Sequence, residues 1–317
     1  MYSIIFISPR TGKLRSGWQV SYFLGSYLLC YLIFLVIADS LKDMALSIYG
    51  KPIMLADNIK WLCLFTYSRA VQLIVALIVS MLAVTQFSER SIASLGYGLH
   101  KGWVKDLIIG SGISFAMIGL GTLILWLFKS TTLIWQPNYI NNSFIGLSLT
   151  IILILIAASL EEVLFRGFAL QVLAENLPPL TAALIMSVPF GLVHLGNPSA
   201  STFSVLNTIL AGVWLSMAYF KTRSLWLVTG MHFSWNLSLG TIFGFPVSGI
   251  NQLSTYAPFR ALDNGPNWWT GGSYGPEGGA IVTLILIVGT IAIIKASKLS
   301  ISPEMAKCFT NISQTNS

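Results

Sequence analysis

Glu161 and Glu162 stand side by side at the end of the apolar run 147–160, and they alone among eleven acidic residues fall inside strongly apolar sequence. An ionised group near the centre of a bilayer costs about 2.5 kcal/mol or more, so a pair there points to function. Helical spacing divides their work. Glu162 precedes Arg166 by four residues, the favourable order for an ion pair on one helix face. Glu161 is turned by roughly 100° about the same helix and is free to point elsewhere. A carboxylate held away from bulk water suits a general base that takes a proton from water near neutral pH.

The chain has three histidines. His100 lies in a polar stretch with Lys101 and Lys105, whereas His194 and His232 are embedded in apolar sequence. Phe190 precedes His194 by four residues, and His232 precedes Asn236 by four, so imidazole and carboxamide share a helix face. Peptide hydrolysis needs a base for water and donors aimed at the developing oxyanion, and this set contains both. Two other readings use the same residues. Glu161, His194 and His232 with a water form a three-ligand site for one divalent metal such as zinc, although no HExxH motif is present. Buried Glu, His and Arg also make proton relays in transporters, but the matched repeats of that class are not visible.

The elements that position these residues are membrane helices. The chain has 317 residues, 55% hydrophobic and 9% charged, against about 25% charged in a soluble domain. This composition excludes a cytosolic globular protein, a disordered or fibrous chain, and a nucleic-acid-binding domain. Eight apolar segments approach the roughly 20 residues of a spanning helix: 18–38, 70–87, 107–128, 143–173, 179–195, 202–220, 225–245 and 279–294. The expected fold is all-α, a polytopic membrane protein of about eight transmembrane helices around a central polar cavity. The first run reads as a retained anchor. Twelve of the eighteen Lys and Arg residues fall on the N-terminal side of alternating loops and six, including Arg69, on the other, which places both termini in the cytoplasm. Cys30, Cys63 and Cys308 show no CxxC spacing and imply no disulfide framework.

Two connections stand out, 39–69 and the Gly-, Pro- and Trp-rich 246–278. In the second, Trp268 and Trp269 read as an interfacial belt or a lid. If Glu161 lies in the cytoplasmic third of its span, simple rise carries His194 well past it, and a submerged turn at 176–179 is expected to restore the level.

In order on separate apolar segments, Glu161-Glu162-x-x-x-Arg166, Phe190-x-x-x-His194 and His232-x-x-x-Asn236 resemble the three motifs of the CPBP family of intramembrane proteases, also called the Abi family. That family includes type II CAAX prenyl endopeptidases and bacteriocin-processing or immunity proteins. The segment from Thr270 to Glu277 is similar to bacterial members. The resemblance implies a protease core at 143–245, preceded by N-terminal helices at 1–142 and followed by a loop, a last helix and a tail at 246–317. It implies that Glu161 activates water with His194, that His232 and Asn236 stabilise the oxyanion, and that Glu162, Arg166 and Phe190 support them. The family has been described both as metallo- and as glutamate-dependent, so the metal stays open. The implied partners are a membrane-anchored protein or peptide and the lipid bilayer of a bacterial plasma membrane. A nonproteolytic scaffold or immunity factor with the same fold is the alternative.

Overall fold

The computed structural model describes residues 5–8, 12–49, 57–88, 90–137 and 144–309. The chain is an all-α polytopic membrane protein, 75% helical. Its helices are α1 (Ser16–Tyr49), α2 (Asp57–Phe87) and α3 (Trp103–Leu127), then, beyond strand β1 (Thr131–Trp135), α4 (Phe144–Arg166), α5 (Phe168–Ala174), α6 (Pro179–Leu192), α7 (Thr202–Thr222) and α8 (Leu225–Asn236). Strand β2 (Phe259–Asp263), the four-residue helical turn Asn267–Thr270, α9 (Ala280–Lys295) and α10 (Pro303–Cys308) follow.

Six helices among the described residues are long and apolar enough to cross a membrane, ending with 202–222. The other two expected spans are built differently. At 225–245 the α-helix stops at Asn236 and continues as a π turn, Leu237–Ile242. The last, α9, has 16 residues, about 24 Å of helix against a hydrocarbon core of about 30 Å.

The expected long connection at 39–69 is largely helix. Beyond the apolar run, α1 continues to Tyr49 through Leu41, Lys42, Met44, Ala45 and Leu46, all good helix formers. From the other side α2 begins at Asp57; residues 50–56 lie outside the described residues. Arg69, assigned by sequence to an outer loop, is inside α2.

The bundle is held by close helix crossings. α3 packs on α8, α2 on α4, and α7 on both α6 and α9. At the first crossing a Cβ on Gly110 would stand 2.1 Å from the Leu227 carbonyl oxygen, and one on Gly230 would stand 2.3 Å from that of Leu107. Backbone meets backbone here, as small residues allow between membrane helices. The crossing lies just before His232 and fixes the depth and rotation of α8.

A two-stranded antiparallel ladder was not foreseen in the sequence. β1 pairs with β2 in a register running from Thr131 opposite Asp263 to Trp135 opposite Phe259. It ties the end of α3 to the 246–278 connection.

Candidate active site

α4 carries both glutamates to the heart of the bundle. Glu162 is wholly buried and Arg166 nearly so. The Arg166 Nη1 donates to Glu162 Oε1 at 3.1 Å, and its Nη2 donates to the Gly212 carbonyl oxygen at 3.2 Å. The ion pair expected from the four-residue spacing is present, and α7 supplies a second acceptor to the guanidinium.

Glu162 has a second partner that spacing did not reveal. Its Oε1 lies 2.8 Å from His232 Nδ1. With Glu162 ionised beside Arg166, Nδ1–H is the donor, and Nε2 is left to face the cavity. That Nε2 stands 3.7 Å from Glu161 Oε2. Each nitrogen of His232 therefore faces a different carboxylate of the Glu161–Glu162 pair. The Glu161 Oε2 atom is itself buried and has no hydrogen-bond partner, so its lone pairs are available for a proton.

His194 lies in the 3₁₀ turn Val193–Gly196 that follows α6. Its Nδ1 is 2.7 Å from the Phe190 carbonyl oxygen, which makes Nδ1 the donor and leaves Nε2 exposed to the cavity side. The Phe190 ring sits between the groups. The Arg166 guanidinium carbon is 4.3 Å from its centroid, while the rings of His194 and His232 meet it edge-on at 5.1 and 6.1 Å. Phe190 is buried, and it walls the Glu162–Arg166 pair off from His194 while offering the cation its face.

Glu161, Phe190, His194, His232 and Asn236 all line one cavity of about 200 Å³. Glu162 and Arg166 stand behind its wall. The level of His194 is explained by path length. From Glu161 the chain continues through α5 to Ala174 before it turns, and it returns from Pro179 to His194; each leg is roughly 20 Å at helical rise.

Among the described residues no three His, Cys, Asp or Glu side chains stand close enough to hold a metal. Glu161, His194 and His232 thus do not close into a ligand set as their side chains stand.

Sequence reasoning missed Glu277. The residues after Pro246 fold back over the cavity, where Val247, Ile250 and Leu253 add an apolar wall. Glu277 Oε1 accepts from Trp235 Nε1 at 2.9 Å, and Oε2 accepts from the Ser248 amide and hydroxyl at 2.6 and 2.8 Å. Ser248 has φ +47° and Gly249 φ +82°, and a Cβ on Gly249 would meet the Pro198 carbonyl oxygen at 2.0 Å, so this turn needs glycine. Asn207 of α7 donates to the carbonyl oxygens of Glu277 and Gly279 at 2.8 and 3.0 Å. Trp268 and Trp269 do not line the cavity. Trp268 is exposed, and Trp269 packs edge-on against Phe128 with centroids 6.4 Å apart. The only sequence signal for Glu277 was its place in the segment similar to bacterial members of the family.

No curated protein and no solved structure matches the chain. Residues 142–238 match the family model described as type II CAAX prenyl endopeptidase Rce1-like. The matched segment begins just before α4, ends just after Asn236, and contains every residue of the three motifs. Residues 142–238, which carry all three motifs, are thus similar to the type II CAAX prenyl endopeptidase Rce1-like family.

Proposed function

We propose that this protein is an intramembrane endopeptidase that hydrolyses a peptide bond of a membrane-anchored protein or peptide with water activated by a carboxylate. The observation that carries the reading is the Glu161 Oε2 atom, buried at the cavity wall without a hydrogen-bond partner and 3.7 Å from His232 Nε2.

In this mechanism Glu161, assisted by the Nε2 of His194, takes a proton from a water molecule, and the resulting hydroxide attacks the carbonyl carbon. The carbonyl π pair moves to oxygen, where the Nε2–H of a doubly protonated His232 and the amide of Asn236 donate to it. The intermediate collapses with cleavage of the C–N bond, and the proton held by Glu161 passes to the departing nitrogen. Charge balance supports a cationic His232 at this step. With the water proton on Glu161 and the Glu162 carboxylate paired with Arg166, the charge left over is the oxyanion's, which the imidazolium balances in a region that tolerates net charge poorly.

The test is cleavage of membrane-anchored peptides by purified protein in detergent. Glu161→Gln is expected to abolish turnover while the variant remains folded. A Glu161→Gln protein that cleaves at the normal rate would remove the base and with it this mechanism.

A further inference from the structure

Among the described residues, Arg69 is the one cavity-lining cation that this mechanism leaves unused. It lies thirteen residues into the 31-residue α2, within a candidate membrane span, where a guanidinium is expensive unless something uses its charge. Among the described residues no carboxylate pairs with it. Its Nη1 donates to Gln72 Oε1 at 3.1 Å, and its guanidinium carbon lies 4.9 Å from the Phe65 ring centroid. Gln72 is itself fixed, since its Nε2 donates to Tyr31 Oη at 2.9 Å and to Ser68 Oγ at 3.1 Å. These polar groups from α1 and α2 aim the arginine without neutralising it.

Arg69 and Glu161 line the same cavity, and its wall also includes Leu153, Ile154 and Ala157 of α4. Those residues recur at helical spacing on the face that carries Glu161. The cavity thus has a base, a positioned guanidinium with no carboxylate partner among the described residues, and apolar surface in the same wall. A guanidinium with free N–H donors in a poorly hydrated site is suited to bind a planar carboxylate through two parallel hydrogen bonds.

We propose that Arg69 is a specificity-determining residue that binds a carboxylate of the substrate chain, either its terminal carboxylate or an Asp or Glu side chain. The proposal deepens the endopeptidase reading and rests on the same cavity, but binding tests it without requiring turnover.

The probes are three fluorescent, N-acylated octapeptides of Leu and Ala. One ends in a free carboxylate, one ends in a carboxamide, and one ends in a carboxamide and carries a single internal Glu. Their affinities for Glu161→Gln protein in detergent are measured by fluorescence anisotropy. At least one acidic peptide should bind about ten-fold more tightly than the neutral one, the scale of a charge-assisted contact, and which of them does so identifies the source of the carboxylate. Adding Arg69→Gln should erase the preference, and Arg69→Lys should retain part of it. Equal binding of all three peptides overturns the proposal without any Arg69 variant, so a misfolded Arg69→Gln protein does not shield it. A preference that survives Arg69→Gln overturns it equally. Preference without cleavage by the unsubstituted protein would sink hydrolysis and leave the carboxylate site standing.

Discussion

The indole of Trp235 donates to Glu277 at 2.9 Å, which joins the helix bearing His232 and Asn236 to a loop 42 residues further along the chain. Because Glu277 also accepts from both the amide and the hydroxyl of Ser248, one carboxylate fastens the outer wall of the cavity. Glu277→Ala strands three donors, at a cost of about 1–3 kcal/mol for each that stays buried. The expected result is a lower melting temperature and faster proteolytic nicking between residues 246 and 278. Unchanged protection of this segment would show that the β1–β2 ladder and Asn207 suffice to hold it.

The two neighbouring glutamates should fail in different ways. Glu161→Gln is expected to lose activity with little change in stability, because its Oε2 makes no hydrogen bond and only a 3.7 Å approach to His232 Nε2. Glu162→Gln should lower both, since it leaves the buried Arg166 uncompensated and frees His232 to rotate; a cost of about 3 kcal/mol is expected. Melting and turnover measured side by side decide the matter, and equal melting temperatures for the two variants would contradict the assignment.

Asn236→Ala should reduce kcat by about 10²–10³ if its amide donates to the oxyanion. Because the contact is made in the transition state, KM should change little. A rise in KM with kcat intact would instead place Asn236 in substrate binding.

Metal dependence has its own readout. With carboxylate catalysis, activity survives prolonged chelation, and elemental analysis of active protein finds no stoichiometric zinc. Zinc at about one equivalent, lost together with activity and restored with it, would mean that Glu161, His194 and His232 draw together around an ion.

The distribution of basic residues predicts that cysteines introduced near residue 300 react with an impermeant reagent only from the cytoplasmic side, and those near 135 and 265 only from the other. This is read in a background with Cys30, Cys63 and Cys308 replaced by serine. The ladder adds a constraint of its own: Trp135 lies opposite Phe259, so labels at those two positions must react from the same side.

What could be read from sequence was local. The four-residue intervals at 162/166, 190/194 and 232/236 survive as contacts or shared cavity walls because helices preserve such intervals. The approach of Glu162 to His232 was not legible, since it depends on how α4 lies against α8, which no interval records. Glu277 was hidden for a related reason: it belongs to a loop without periodicity and acts on Trp235 across the fold. The strands at 131–135 and 259–263 are five residues each and more than a hundred apart, too short for alternation to declare them. The extension of α1 past residue 38 was concealed by its polarity, because hydropathy marks where a membrane could lie and not where a helix stops.

The π turn at 237–242 has a consequence for how such a protein can change. A π turn carries one residue more than its α counterpart, so the helix shifts its angular phase immediately after Asn236. Upstream, His232 and Asn236 keep α spacing, locked by the glycine crossing with α3. Downstream, the chain enters the outer wall in a different phase. The face that carries His232 and Asn236 and the wall beyond Pro246 are thereby mechanically decoupled: residues can be gained or lost beyond residue 242 to reshape the wall without rotating His232 away from Glu161 and Glu162.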